Sequence, residues 1–360
     1  MPTPSNGFND PTAQRLERIA TGAEPEVVGP LLADVLHDTR WLECDVALIS
    51  GGKSNLTYRV ACDAGEVILR RPPLGHILPT AHDMVREHRV LSALEDTAVP
   101  VPRTFHLGAA DSPLGAPFYV MERVLGHICR NSLPGGYAET PEERAAIGEG
   151  LVDVLADLHA IEPAEVGLAE FGRPAGFMER QLRRWSKQWE ATKVAELPAL
   201  DALRDDLVRT VPEQPVASIV HGDYRLDNTM LHPTLPGRIV AVLDWEMSTL
   251  GDPFTDLGAL LAFWSEEADD DVLTAARIVA PVTAAQGFPT RSQVIERYAA
   301  RTGFDVADAD WYQAFAFFKL AVVCQGIAAR AAGGAMLGSG FDDAQRLVAP
   351  LVDAGRHLLG

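Results

Sequence analysis

A His-Gly-Asp sequence and two polar residues downstream of it have the types and spacing that phosphoryl transfer requires. They lie in residues 220–258, VHGDYRLDNTMLHPTLPGRIVAVLDWEMSTLGDPFTDLG. Asn228 follows Asp223 by five residues, and Asp244 ends an apolar run. A loop of the form H-x-D-x-x-x-x-N places a carboxylate at a substrate hydroxyl and an amide at a metal. We therefore predict Asp223 as the catalytic base, and Asn228 and Asp244 as Mg²⁺ ligands that offset the charge of the phosphates of ATP.

The flanking sequence indicates how these residues are held. The run RIVAVL at 238–243 is rich in β-branched residues and predicts a buried strand that delivers Asp244. Asp256 lies among apolar residues, so we expect the catalytic-loop backbone to donate hydrogen bonds to it and give it a positioning role.

Short β-prone runs at 45–50, 56–61 and 67–70 precede this region, joined by GGKSN and CDAGE. A glycine-containing turn between paired strands can lay its backbone N–H groups over phosphates. This assigns a nucleotide-covering role to Ser50, Gly51, Gly52, Lys53, Ser54 and Asn55, with an ordinary hairpin turn as the alternative. A Walker A loop is excluded because Ala47 stands where its first glycine is needed and a strand follows.

Two charged residues in the first third of the chain would position the phosphates. Arg70 ends the strand VILR, and Glu87 lies in the predicted helix 83–94. We expect these two to pair, with Arg70 holding the α- and β-phosphates. The alternatives are that the neighbouring Arg71 is the true partner, or that both arginines are surface charges and Glu87 is a solvated glutamate. The strand FYVMERV at 118–124 would lead into a connector whose backbone binds adenine, which assigns Met121, Glu122 and Val124 to the nucleotide site.

The rest of the chain reads mainly as helices that would wall the substrate pocket. Thr140-Pro141 is a helix start signal for residues 141–161, in which His159 is interpreted as a structural histidine bound to backbone groups. The other predicted helices are 26–37, 176–192, 198–210, 271–286, 290–301, 311–332 and 342–359.

Composition limits the classes of function. The formal charge of −19 over 360 residues argues against a nucleic-acid partner. The 4 cysteines are scattered and indicate reduced thiols, so we expect a cytoplasmic location, and the first residues lack the features of a signal peptide. Apolar stretches such as 257–264 are too short to span a bilayer, so no membrane association is expected. Oligomeric state is not indicated.

The motifs occur in the order Gly-rich hairpin, VILR, REHRVLSAL, FYVMERV, HGDYRLDN, VLDWE and GDPFTDLG. This order resembles that of the aminoglycoside phosphotransferase family of small-molecule kinases. The resemblance implies an α+β, bilobal protein-kinase-like fold, with a small antiparallel-sheet lobe at 1–124 and a larger, mainly helical lobe at 125–360. It also implies ATP and Mg²⁺ as cofactors, and the roles given above to Asp223, Asn228, Asp244, Arg70 and Glu87. Arg225 lies two residues after Asp223, where protein kinases often have a lysine, so the resemblance implies that it stabilises the transferring phosphoryl group; the alternative is a salt bridge to a neighbour such as Asp227.

Two stretches are especially similar to the phosphotransferase domains attached to some acyl-CoA dehydrogenases. They are RRPPLGHILPTAHDMVREHRVLSAL and PFYVMERVLG. That similarity implies a hydroxylated acyl-type acceptor, such as a CoA thioester, more than an antibiotic. Several antibiotic enzymes hold the drug's ammonium groups with acidic residues near the C-terminus, where this chain has only Asp353 in its last turns.

The sequence thus predicts an ATP- and Mg²⁺-dependent kinase that transfers the γ-phosphoryl group to a hydroxyl of a small molecule. The alternatives are an aminoglycoside phosphotransferase, a nucleotide-binding pseudoenzyme and a metal-dependent hydrolase. Protein-kinase activity is disfavoured because no Ala-Pro-Glu element follows Asp244.

Overall fold

The structure is a computed structural model that describes residues 21–49, 55–74, 83–193, 196–214, 216–332 and 341–360. Contacts between Cα atoms divide the chain into two compact units, Met1–His127 (unit 1) and Ile128–Gly360 (unit 2). Each unit has its own hydrophobic interior.

Unit 1 is built on a five-stranded antiparallel sheet with strand order β1-β2-β3-β5-β4. Its strands are β1 (Asp45–Leu48), β2 (Leu56–Cys62), β3 (Gly65–Arg71), β4 (Thr104–Gly108) and β5 (Phe118–Glu122). Its helices are α1 (Pro25–Val35) and α2 (Met84–Leu94). The side chain of Asp83 caps α2 by accepting from the N–H of Arg86. The register places Arg70 opposite Tyr119, at the centre of the sheet.

The interior of unit 1 lies between α1 and the sheet. Val28 and Leu32 of α1 are fully buried, together with Tyr58 and Val60 of β2 and Phe118 of β5. Burial of each such side chain contributes about 1.5–3 kcal/mol to folding. The sheet that carries Arg70 is therefore anchored to the hydrophobic interior of unit 1.

Unit 2 is mainly helical and also contains two short antiparallel ribbons. The helices are α3 (Pro141–Ala160), α4 (Phe177–Thr192), α5 (Pro198–Arg209), α6 (Phe254–Phe263), α7 (Asp271–Ala275), α8 (Arg291–Thr302), α9 (Ala309–Ala332) and α10 (Phe341–Leu359). The ribbon strands are β6 (Ser218–Val220), β7 (Thr229–Leu231), β8 (Ile239–Val242) and β9 (Thr249–Gly251).

The two ribbons present the candidate site residues. Strand β6 pairs with β9 and ends immediately before His221. Strand β7 pairs with β8, which ends two residues before Asp244. Helix α6 begins just beyond β9 and carries Asp256 in its first turn. The predicted strand at 238–243 is confirmed.

The prediction of a continuous helix over residues 271–286 is wrong. Helix α7 ends at Ala275, and only a 3₁₀ turn, Val282–Ala284, follows. Pro281 prevents a helix from running continuously through this range, because a proline inside a helix lacks the N–H that the helix requires and restricts the residue before it.

The expectation that apolar stretches are too short to span a bilayer also needs correction. Within the described residues, Ala309–Arg330 of α9 is long and apolar enough by length and composition, with a mean hydropathy of 1.3. Of its most apolar window, 67% is buried inside the fold. A helix that is apolar on all sides is also what the interior of a large helical unit requires.

Candidate active site

The backbone of the His-Gly-Asp loop is held by a buried carboxylate. Asp256 is fully buried; its Oδ2 accepts from the N–H of His221 at 2.6 Å, and its Oδ1 accepts from the N–H of Gly222 at 2.7 Å. Gly222 adopts φ +87°, and a Cβ there would lie 2.8 Å from Met247. The predicted contact between Asp256 and the catalytic-loop backbone is confirmed.

Asp256 remains ionised because of its neighbours. Burial alone would raise its pKa, but the hydrogen bond and charge of His159, together with the backbone N–H of His221, lower the pKa below the ordinary value. His159 Nε2 lies 3.3 Å from Asp256 Oδ2, and its Nδ1 lies 2.7 Å from the hydroxyl of Tyr298. The interpretation that the His159 side chain binds backbone groups was therefore wrong; its partners are side chains.

Three predicted site residues meet around the Asp223 carboxylate. Asn228 Nδ2 donates to Asp223 Oδ2 and to its backbone oxygen, both at 2.8 Å. Arg225 Nε lies 3.3 Å from Asp223 Oδ2, and Arg225 Nη1 lies 2.9 Å from Asp227 Oδ2. Arg225 thus makes the salt bridge to Asp227 and contacts the candidate base as well. Its guanidinium stacks 4.5 Å from the ring centroid of Phe263.

Asp244 is joined to the catalytic loop through the residue before it. Leu243 N–H donates to the backbone oxygen of Asn228 at 2.8 Å, and His221 Nε2 lies 2.8 Å from the oxygen of Leu243. Asp223 N–H donates to His221 Nδ1 at 3.2 Å, so the ring carries its proton on Nε2 and donates it to Leu243. Asp244 itself has φ +66°, a conformation that costs about 1–3 kcal/mol and that the surrounding structure must therefore impose.

The donor set suits a hard cation. Both hydrogen bonds from the Asn228 amide nitrogen go to Asp223, so Oδ1 is the amide atom suited to bind a metal. A carboxylate, that of Asp244, is the second oxygen donor. Within the described ranges no group of three or more His, Cys, Asp or Glu side chains could hold a metal. Mg²⁺ fits such a sparse set because it keeps several waters and binds phosphate oxygens.

Lys319 of α9 lies beside the same loop, and sequence reasoning missed it. Its Nζ donates to the backbone oxygen of Gly222 at 3.0 Å and lies 5.7 Å from the ring centroid of Trp185. The guanidinium carbon of Arg184 lies 5.5 Å from the centroid of that ring. Burial lowers the pKa of Lys319, although the charges of Asp223 and Asp256 oppose this. A single lysine inside the apolar run AFAFFKLAVV was the available signal.

In unit 1 the carboxylate of Glu87 collects three donors. Arg70 Nε donates to Glu87 Oε2 at 2.8 Å, which confirms the predicted pair. Asn55 Nδ2 donates to Oε1 at 2.6 Å, and Tyr119 donates its hydroxyl proton to Oε2 at 2.9 Å. Arg71 instead donates to the backbone oxygens of Gly22 and Leu114. Of the two arginines, Arg70 is therefore the partner of Glu87. Tyr119 was not foreseen.

The other predicted nucleotide-binding residues are only partly described. Ser50, Gly51, Gly52, Lys53 and Ser54 lie outside the described residues. Strand β5 contains Met121, which is buried, and ends at Glu122, which is exposed. Glu122 N–H donates to the oxygen of Arg103 at 2.8 Å, so that donor is already used inside unit 1. Val124 lies beyond the strand.

The family follows from comparison with known proteins. Residues 45–294 match the model of APH, the phosphotransferase enzyme family. The match takes in both ribbons and the loop described above, and the chain belongs to this family. The resemblance predicted from the sequence motifs is confirmed.

Two relatives and one structure show how far the similarity extends. The chain is 37% identical over 283 residues to acyl-CoA dehydrogenase family member 11 of Rattus norvegicus, covering 78% of this chain and 35% of the relative. It is 36% identical over 295 residues to member 10 of Mus musculus, covering 79% and 26%. The chain thus spans between about a quarter and about a third of the length of these longer proteins.

The solved structure of a candidate aminoglycoside phosphotransferase from Ralstonia eutropha JMP134 superposes with a TM-score of 0.79 at 33% identity, covering 93% of this chain and 98% of that one. The fold is accordingly α+β and protein-kinase-like, as the sequence predicted.

Proposed function

We propose that this chain is an ATP- and Mg²⁺-dependent phosphotransferase that acts on a hydroxyl of a small molecule. The observation that carries the proposal is the Asp223 carboxylate, held by Asn228 and set on a loop whose backbone N–H groups bind Asp256. That arrangement fixes a base before any substrate arrives, and such positioning is the main contribution a protein makes to phosphoryl transfer.

In the proposed reaction, Asp223 accepts the proton of the acceptor hydroxyl. The oxygen of that hydroxyl attacks the γ-phosphorus in line. The bond between the γ-phosphorus and the bridging oxygen breaks, and ADP leaves. Asn228 Oδ1 and the Asp244 carboxylate would hold Mg²⁺, which when bound offsets the charge of the phosphates. Arg225, stacked on Phe263 and 3.3 Å from Asp223, is the candidate to stabilise charge on the transferring group.

The proposed role of Arg70 is to bind the α- and β-phosphates through its guanidinium fork. Its Nε donates to Glu87 Oε2 at 2.8 Å and its Nη1 donates to Thr57 Oγ1 at 3.3 Å, and these two contacts fix the plane of the guanidinium fork. The backbone of residues 121–124 is the proposed partner of the adenine ring.

The acceptor is proposed to be a hydroxyacyl-CoA-type metabolite, which fits the acyl-CoA dehydrogenase relatives. The charges near Asp223 favour this over a polycationic aminoglycoside. The guanidinium of Arg225 contacts Asp223. Arg184 shares the Trp185 ring with Lys319. Although the chain carries a formal charge of −19, charges farther away than about 8 Å are screened at physiological salt, so the acceptor would respond mainly to the charged groups near Asp223, which include the carboxylate of Asp227 as well as these cations.

The test is ADP release with ATP and Mg²⁺ and a panel of hydroxyacyl-CoA thioesters, amino alcohols, sugars and aminoglycosides. We expect release that requires an acceptor and is fastest with a CoA thioester. Hydrolysis of a panel compound without nucleotide would favour a metal-dependent hydrolase, and nucleotide binding with no ADP release would favour a pseudoenzyme.

A charge variant separates the acceptor classes. Arg184→Gln is expected to raise the KM for a CoA thioester by about fivefold, since an exposed charge contact contributes at most about 1 kcal/mol. Arg183→Gln is the matched control, because Arg183 is an equally exposed neighbour on α4. An equal effect of both variants, or a lower KM in Arg184→Gln, would contradict an anionic acceptor.

A further inference from the structure

The ammonium of Lys319 is partly removed from water and lies against the catalytic loop. Lys319 lies in α9, is part-buried, and forms no ion pair with a carboxylate in the part of the chain that the structure describes. Its one hydrogen bond goes to the backbone oxygen of Gly222 at 3.0 Å. Removing a lysine from water is costly unless its charge is used.

That hydrogen bond completes the fixation of a single peptide group. The oxygen of the Gly222–Asp223 peptide accepts from Lys319 Nζ, and the N–H of the same peptide donates to His221 Nδ1 at 3.2 Å. The preceding peptide is held through its N–H, which donates to Asp256 Oδ1 at 2.7 Å. These two peptides immediately precede Asp223, so fixing them restricts the direction in which the Asp223 side chain leaves the backbone.

Glycine makes this third contact necessary. Gly222 has φ +87° and no side chain to restrict it, so its carbonyl can rotate more freely than that of other residues. The contact from Lys319 opposes such rotation. The positive charge of Lys319 also stabilises the orientation in which the Gly222 carbonyl points toward it, because a hydrogen bond from a charged donor is about twice as strong as a neutral one.

We propose that Lys319 is a positioning residue for phosphoryl transfer, acting through the Gly222 carbonyl to hold Asp223 in the orientation that accepts the hydroxyl proton. The inference rests on the proposed function, but nothing in the family comparison assigns this residue. A role in binding the acceptor is the competing account, since Lys319 also contacts the ring of Trp185.

Kinetics separate the two accounts. In Lys319→Met, we expect kcat to fall about 100-fold, as small misplacements of a catalytic group do, with both KM values within about threefold. Lys319→Arg keeps the charged donor and should recover at least about tenfold of that loss. Gln325→Met is the matched control: it removes another α9 side-chain contact to a backbone oxygen, that of Thr192 at 3.5 Å, and should leave kcat within about twofold.

Amide hydrogen exchange of the 218–228 segment supplies a readout that does not require turnover. Exchange should speed up in Lys319→Met and not in Gln325→Met. Unchanged exchange, an unchanged kcat, or a raised KM for the acceptor with kcat retained would each overturn the inference. A wild-type protein that transfers no phosphoryl group would instead refute the proposed function, with the exchange comparison still deciding whether Lys319 holds the loop.

Discussion

Replacing Asp256 by asparagine tests how the catalytic loop is held. The carboxylate accepts from the N–H groups of His221 and Gly222 and lies 3.3 Å from Nε2 of His159. An asparagine has only one oxygen for these donors. The least costly orientation places that oxygen toward His221 and His159, and turns the amide NH₂ toward the N–H of Gly222.

The magnitude follows from the contacts. The variant loses one hydrogen bond to a charged acceptor, about 1.5–3 kcal/mol, and leaves a buried N–H unpaired, about 1–3 kcal/mol. We expect the free energy of unfolding to fall by about 3–5 kcal/mol. Because the unpaired N–H belongs to the residue before Asp223, kcat should fall about 100-fold in the molecules that remain folded.

Urea unfolding and ADP release measure the two effects separately. The control is Asp201→Asn, whose carboxylate also accepts from side chains, Trp189 Nε1 at 2.9 Å and Lys193 Nζ at 3.3 Å. Asp201 is partly exposed, so its loss should be about 1 kcal/mol or less, without an effect on kcat. The reasoning is refuted if Asp256→Asn loses no more stability than Asp201→Asn.

Two further predictions concern buried carboxylates. Burial raises the pKa of Asp252 from 3.8 to about 6, so between pH 4 and pH 6 the folded chain keeps a proton that the unfolded chain has lost. The free energy of unfolding should fall by about 3 kcal/mol as pH rises through that window, and urea titrations should show a smaller fall in Asp252→Asn; an equal fall would contradict the assignment. Glu87→Gln should weaken Mg²⁺-ATP binding about tenfold in calorimetry, because it releases Arg70. Glu66→Gln is the control, since the native Glu66 pairs with Arg59 and Arg123, and it should leave the affinity unchanged. Equal losses of affinity in the two variants would argue against the role of Arg70.

Local signals predicted much of the fold. Thr140 and Pro141 begin α3 as expected, and the structure shows the full capping box with Glu143. The β-branched run before Asp244 forms β8. These predictions succeed because caps and apolar patterns act over a few residues, which a single sequence displays directly.

Contacts between distant residues could not be predicted in the same way. His159 and Asp256 are 97 positions apart, as are Gly222 and Lys319. Nothing near Lys319 in the sequence indicates which carbonyl it reaches. Tyr119 reaches Glu87 only because the sheet register sets it opposite Arg70, and register is a property of the assembled sheet.

The candidate active site could be predicted from the sequence only in part. Spacing within the loop identified Asp223 and Asn228, whose side chains meet at 2.8 Å. It left the role of Arg225 open because both aspartates lie within two residues of it, and the structure shows contacts to both. The roles of these residues in catalysis stay predictions.

Transfer of label from γ-labelled ATP to a hydroxyacyl-CoA thioester, compared between wild type and Asp223→Asn, tests the central claim most directly. Asp206→Asn, a surface change on α5, is the control, and calorimetry checks that nucleotide binding survives. We predict labelled acceptor with wild type and Asp206→Asn, and none with Asp223→Asn at retained Mg²⁺-ATP affinity. Equal transfer by Asp223→Asn, or label released only as free phosphate, would contradict the account.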